Sequence, residues 1–516
     1  MLAPLRFFFL VCWYGLMIFS AGSEVLSLSL IQATAQAKEA KPRQTTDPSD
    51  SKPMDSKSVN SKKDPFSNNG FETEVLDEEL FTDIHIDDEE LFDQNSAHAY
   101  IKGFLKEELA YRLHRNDPSL RKVCTILNLD AQSNLGEKWS GRMVLTGYYD
   151  MAYSLYGRDR FTTKALSQKE SDLELRDTYV EGLLNEKLIL KLGRQIIPWG
   201  QSEFVQVTDI ANPRDQTEFA MVDLEDARLP VFASRITWIP EDWEFTLVAI
   251  HEIRPNKTDV KGTDFYPYQS LWMAGNRVTD EQVPLSIPRN WEVMGRLQRK
   301  FNGADFSLTV GDTFDDRAHL NVNNITMVAG RPQVILTPEY KRIQMIGMAG
   351  DKVMGDYLFK FDSGYFFNTA VARDDMEAQL RADSTGASAL SWQKADILRT
   401  LVGVEYSGID DLRLTIESVI EQIPNYQSQF VPDQTSAMIF FLADYQVLNQ
   451  TLNYNFQWAF FSQYKERIYK LVITYDLMDA VELSLGAIYY QMDDSDSPLY
   501  HFRKQDRLFG SIKYSF

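Results

Sequence analysis

The sequence predicts an all-β fold, a transmembrane antiparallel β-barrel of the outer-membrane type with about 16 strands, within a range of about 14–18. Three features carry that expectation. Apolar and polar residues alternate with a period of two over segments that often run nine or more residues, long enough for a tilted strand to cross a membrane. Aromatic residues gather at segment ends, as in Tyr148-Tyr149, Phe366-Phe367, Phe440-Phe441, Phe460-Phe461 and Tyr489-Tyr490, where an interfacial girdle belongs. At the end of the chain, Leu508, Ile512, Tyr514 and Phe516 share one strand face and finish on an aromatic terminus.

At the other end, Arg6 precedes the apolar stretch Phe7 to Phe19, and Ala33, Ala35 and Ala37 follow. This is the layout of a secretory signal peptide, taken as residues 1–35 with processing between Ala21 and Ala37. A single-helix anchor is the competing account, but the apolar core falls short of the ~20 residues that span a bilayer. No later segment offers 18 consecutive apolar residues, which excludes a helical membrane protein. Residues 36–70 are rich in Lys, Asp, Ser, Pro and Gln and nearly free of large apolar side chains, so burial cannot offset the entropy of ordering and a disordered leader is expected. Residues 71–99 set Phe71, Leu76, Leu80 and Phe81 among Asp77, Glu78, Glu79, Asp87 and Asp88. They read as an acidic periplasmic or plug-like segment, and their spacing does not match a calcium loop.

Residues 100–516 form the expected barrel. In Leu452 to Phe460 one face holds Leu452, Tyr454, Phe456, Trp458 and Phe460, and the other holds Asn453, Asn455 and Gln457. One side suits lipid and the other water. Leu412, Leu414 and Ile416 oppose Arg413, Thr415 and Glu417 in the same way, and the pattern recurs in Met143 to Met151 and Val481 to Tyr489. A soluble β-sandwich also alternates, but its strands average about five or six residues. About 415 residues at ~26 per strand and connection give the even count stated above. Long extracellular loops are expected near His251 to Ile287 and Ala372 to Ser391.

Only Cys12 and Cys124 are present, so the processed chain has no intramolecular disulfide. The formal charge of −21 argues against a nucleic-acid partner, because phosphate binding needs clustered Lys and Arg. No nucleophile–base pair or metal-ligand run is recognisable and the six His are scattered; neither an enzyme nor a cofactor nor a metal centre is expected.

The most distinctive stretch is Leu188 to Gly200, followed by Glu203, Asp209 and Asn212-Pro213-Arg214-Asp215. Leu188, Leu190 and Leu192 alternate with Ile189 and Lys191 and deliver Gly193, Arg194 and Gln195 to the strand end. Pro198 then removes a ladder donor. The expectation is an ordered segment entering the lumen, held through charge-assisted hydrogen bonds by Arg194, Glu203, Asp209, Arg214, Asp215 and Arg235, with Gln195 a further constriction or lumen candidate. Gly193, Trp199, Gly200, Asn212 and Pro213 are its structural frame.

At Gly193-Arg194-Gln195, Trp199-Gly200 and Asn212-Pro213 with Asp215, together with the leading signal and terminal Phe516, the sequence resembles a DUF1302-like family of Gram-negative outer-membrane β-barrels. That family is distantly similar to alginate-export porins. The likeness is specific over Leu173 to Pro255 and architectural elsewhere. It implies an outer-membrane location, Phe516 as a C-terminal assembly signal read by the barrel-assembly machinery, and movement of hydrophobic or lipid-like molecules beside envelope exporters. The chain departs from the family pattern after Trp199-Gly200, where Gln201 replaces an acidic residue and Glu203 follows two positions later. Two functions are expected: a channel or transporter with a charged constriction for small solutes or lipid-like molecules, or a structural component anchoring envelope proteins through residues 36–99.

Overall fold

Alternation along the chain becomes pairing between neighbours. The computed structural model describes residues 99–222, 227–328, 331–375, 379 and 390–516; the signal, the leader and nearly all of the acidic segment lie outside these. The strands are β1 (Ala99–Arg112), β2 (Ser119–Asn134), β3 (Trp139–Asp150), β4 (Ser171–Asn185), β5 (Leu188–Gln195), β6 (Val231–Trp238) and β7 (Trp243–Ile250). They continue with β8 (Arg277–Val278), β9 (Glu292–Phe301), β10 (Ala304–Phe314), β11 (His319–Val328), β12 (Arg331–Glu339), β13 (Arg342–Met354) and β14 (Tyr357–Ala372). The rest are β15 (Trp392–Ile409), β16 (Leu412–Gln422), β17 (Thr435–Val447), β18 (Leu452–Phe461), β19 (Glu466–Met478), β20 (Val481–Gln491) and β21 (Arg507–Ser515).

Eighteen of these form one sheet, and β8, β11 and β12 form a separate small sheet. Each wall strand pairs antiparallel with its neighbours, and β21 returns to β1 from Phe104↔Ser515 to Arg112↔Arg507. The ring is closed, so no edge is left unpaired in lipid. Eighteen strands replace the expected central figure of 16 because one end of the barrel is more economical than assumed. The connections there, 135–138, 186–187, 239–242, 302–303, 355–356, 410–411, 448–451 and 479–480, are all two to four residues. At 302–303, Asn302-Gly303 makes the turn with Gly303 at φ 69°, the left-handed backbone that a two-residue hairpin requires. The opposite end carries the long connections 151–170, 196–230, 251–291 and 315–341. Short periplasmic turns and long extracellular loops orient an outer-membrane barrel.

The wall inverts the burial rule of a soluble protein. In β16, Ile416 is 52 % exposed while its neighbours Thr415 and Glu417 are fully buried. The apolar side faces lipid and the polar side faces inward, as the alternation of Leu412, Leu414 and Ile416 against Arg413, Thr415 and Glu417 requires. No helix among the described residues is long and apolar enough to cross a membrane.

The paired aromatics divide between the two sides. Phe367, Phe441, Phe460 and Tyr489 lie on outward strand positions, whereas Phe366, Phe440 and Tyr490 are buried inside. Consecutive residues of a strand point to opposite faces, so half of each expected girdle pair packs the interior instead. Tyr357 and Tyr406 meet at 4.9 Å across β14 and β15 next to short turns, and Tyr469 and Tyr489 meet at 6.1 Å toward the long-loop end. These are rings of the two girdles.

Candidate functional site

The wall is interrupted where β5 ends, and residues 196–222 and 227–230 turn into the bore. Gly193 has φ 131°, and a Cβ there would sit 2.3 Å from the Thr178 carbonyl oxygen, so only glycine fits. Asn212 joins the start and end of the inward segment. Its Oδ1 accepts from the Ile197 amide at 2.6 Å, and its Nδ2 donates to the carbonyls of Gln195 at 3.2 Å and Leu229 at 3.0 Å. The Leu229 amide also donates to the Pro213 carbonyl at 2.8 Å. Trp199 and Ile197 are buried against Val231, Ala233, Val248 and Met294. At Gly200 a Cβ would approach the Asp209 Cβ to 2.8 Å, which accounts for the Trp-Gly pair.

Residues 201–208 are fastened to the opposite wall by two carboxylates. Ser202 Oγ donates to Glu417 Oε2 of β16 at 2.6 Å. Thr208 Oγ1 donates to Asp362 Oδ2 of β14 at 3.0 Å, and the Gln201 amide reaches the same oxygen at 3.3 Å. Arg399 of β15 donates to the Gln206 carbonyl at 3.0 Å. Phe204 stacks on Phe440 with ring centroids 4.9 Å apart, and Val207 is buried with Leu401 and Val419. Glu203 meets Lys360 at 2.8 Å and Arg413 at 3.8 Å.

Asp209 is the electrostatic centre of the next stretch. Its carboxylate accepts from the Trp199 amide at 3.2 Å and lies 3.2 Å from Arg228 and 3.5 Å from Arg214. Asp215 accepts from the Thr217 amide and hydroxyl at 2.9 and 2.7 Å. The segment then crosses to β2, β19 and β20. Glu218 pairs with Lys122 of β2 at 2.9 Å, and the Phe219 and Met221 carbonyls accept from Tyr490 at 2.5 Å and Lys470 at 3.2 Å. Burial pushes the Glu218 carboxyl up, but Lys122, Lys169 and Arg507 outweigh it and hold it at about 2.

The loop after β7 lies alongside. Asn256 Oδ1 accepts from the Arg214 amide at 2.6 Å, and Asp264 meets Arg507 at 2.6 Å, Arg112 at 3.4 Å and Arg121 at 3.7 Å. Asp264 thereby ties β1, β2 and β21 together where the ring closes. The inward wall toward the short turns is polar and charged. Lys191 and Arg235 share Glu181 at 3.0 and 3.6 Å, and Arg142 meets Asp130 at 2.9 Å. Across the bore, Asn455 donates to Asp444 at 3.0 Å and Gln457 to Asn455 at 2.9 Å.

Of the residues singled out from sequence, Gln195, Glu203, Asp209, Arg214, Asp215 and Arg235 lie inside the barrel or in the inward segment. Arg194 does not. It pairs in register with outward Phe232, donates to the Leu175 carbonyl at 3.2 Å and forms an ion pair with Glu252. Arg194 shares parity with Leu188, Leu190 and Leu192, so the leucines carry it to the outer face. The inward cation of that strand is Lys191. Asp362, Lys360 and Arg399 were missed, and Glu417 was read only as part of the polar face of its strand; their signal was a charged residue at an inward strand position. Among the described residues no group of three or more His, Cys, Asp or Glu is arranged to hold a metal ion.

The family model described as protein of unknown function (DUF1302) matches residues 113–516. The chain belongs to the DUF1302 family. No curated protein matches its sequence. Among solved structures, it is similar to Acinetobacter baumannii OccAB4, with 11 % identity and a TM-score of 0.48 over 82 % of this chain and 99 % of that one. It is also similar to A. baumannii OccAB3 (10 % identity, TM-score 0.47, 81 % and 99 % covered) and Pseudomonas aeruginosa OccK8 (OprE) (10 %, 0.46, 81 % and 98 %). The closed ring and its lipid-facing belt make this DUF1302 protein a β-barrel of the Gram-negative outer membrane. What it does there rests on its own interior.

Proposed function

We propose that this DUF1302 barrel is a channel for small polar solutes, narrowed by residues 196–222. The observation that carries this reading is the fastening of one segment to opposite walls: Ser202 and Thr208 to Glu417 and Asp362 on one side, Glu218 to Lys122 on the other. A segment held at both sides leaves passage only around it. The charged and amide-lined wall toward the short turns, including Lys191, Glu181, Arg235, Asp444 and Asn455, supports polar solutes over lipid-like ones, because desolvated polar groups penalise an apolar passenger.

Planar-bilayer recording of the purified protein and of the Asp362→Ala/Glu417→Ala variant tests this. The reading expects stepwise conductance in the native chain and larger steps in the variant, whose segment has lost its carboxylate anchors. Absence of steps in both at every voltage sinks the channel; equal steps in both remove the segment from the constriction.

A further inference from the structure

One carboxylate stands on the wrong side of the wall. A row of paired residues runs obliquely around the outer face from Leu483 near a short turn, through Ile512, Glu107 and Thr125, to Tyr149 at the long-loop end. Glu107 is the middle of that row. Within β1 its outward neighbours are Leu105 and Leu109, and their partners in β2 are Leu127 and Val123. Other outward charges on the described wall lie toward strand ends; among them Arg194 has Glu252, and Arg299 lies over the rings of Trp243 and Phe301 at 4.9 Å. For Glu107 the described residues supply one hydroxyl, Thr125 Oγ1 at 2.6 Å, and no basic side chain.

Acyl chains offer neither donors nor counter-charge, and the single Thr125 hydroxyl does not neutralise a carboxylate, so ionised Glu107 at this depth calls for a partner that brings a cation. We propose that the outer face of β1 and β2 around Glu107 is a docking surface for a membrane-embedded segment of another envelope protein, which presents a Lys or Arg to the carboxylate. Charge complementarity selects this occupant. A second copy related by a twofold axis would set Glu107 against Glu107, and like charges in a low dielectric repel strongly. Leu105, Leu109 and Leu127 supply the apolar contact around the charge, and the cation supplies orientation and partner choice.

The test uses dicyclohexylcarbodiimide, a lipid-soluble carboxyl reagent, on native outer membranes and on the purified full chain diluted into phosphatidylcholine vesicles. Peptide mapping reads modification of Glu107. The expected result is modification about tenfold lower in native membranes, as a site nine-tenths occupied requires by mass action. Equal modification overturns the proposal. Protection that appears in vesicles as protein density rises identifies a second copy and also overturns it.

A second measurement isolates the carboxylate from mere crowding. Leu127→Cys is probed with a lipid-soluble maleimide in native membranes, with and without Glu107→Gln; Ile346→Cys on the opposite wall reports reagent access, and buried Cys124 is resolved by mapping. Glu107→Gln is expected to expose Leu127→Cys about tenfold while heat-modifiable migration of the folded barrel is retained. Continued shielding of Leu127→Cys means the partner does not read the charge, and overturns the proposal.

Discussion

Asn212 shows how one side chain can decide where the inward segment goes. Its amide makes three hydrogen bonds at 2.6–3.2 Å to backbone on both sides of the inward segment, and it is almost fully buried. Asn212→Ala strands those groups, each at a cost of about 1–3 kcal/mol. The barrel wall does not depend on them, so the variant is expected to fold, with its segment loosened. Faster protease cleavage within 196–222 at unchanged heat-modifiable migration is the expected outcome; unchanged cleavage would remove Asn212 from this role. Lys191 and Arg194 provide a second comparison, only three residues apart. Lys191 faces Glu181 in the bore and Arg194 faces Glu252 outside. Lys191→Gln is therefore expected to shift reversal potential toward cations in bilayer recordings, and Arg194→Gln to leave it unchanged. Equal shifts would place both in the path. Parity with Leu188, Leu190 and Leu192 already contained this distinction.

At the scale of elements, local pattern specified the strands, and distant contacts specified the segment. The alternation in β16 and β18 fixed their inner and outer faces because one-residue slippage would turn every apolar side chain toward water. Nothing local joins Ser202 to Glu417, which lie 215 positions apart, or Phe219 to Tyr490, 271 apart. Sequence therefore indicated an inward segment through Pro198 and Asn212-Pro213 but not the walls that receive it. The far tether has a pH signature. The Glu218 carboxyl is held at about 2 in the folded chain against an ordinary 4.5. A depressed folded pKa gives stabilisation that is complete above the ordinary value and lost as pH falls toward the folded one. Pepsin is thus expected to begin cutting between Phe219 and Met221 only as pH drops from 4.5 toward 2. Glu218→Gln should be cut throughout that window, and a native chain cut equally across it would refute the tether.

For the whole molecule, the decisive event is closure of the ring, and the sequence showed its ends more clearly than its size. The aromatic terminus was legible as a last strand, whereas the count was not, because turns of two to four residues carry little pattern of their own. Closure depends on contact between the two ends of the barrel. The Gly103 amide donates to the Phe516 carbonyl at 2.9 Å, and the Phe516 amide returns a bond to the Gly103 carbonyl at 2.9 Å. A Cβ at Gly103 would stand 2.4 Å from the Asn128 carbonyl oxygen and 3.0 Å from the Phe516 ring, so Gly103→Val pushes β1 away from both neighbours. Overpacking of this kind costs about 1–3 kcal/mol, and here it falls on the pairing that seals the bore against lipid. Gly295 makes the control, since an added Cβ there meets Val310 at an ordinary 3.5 Å. Gly103→Val is expected to lose its folded, fast-migrating form at lower temperature or urea concentration than the native chain, with Gly295→Ala unchanged. Equal resistance of all three would mean that the C-terminal strand is not what holds the ring shut, and would shift that role to Asp264, which grips Arg112 and Arg507 from inside.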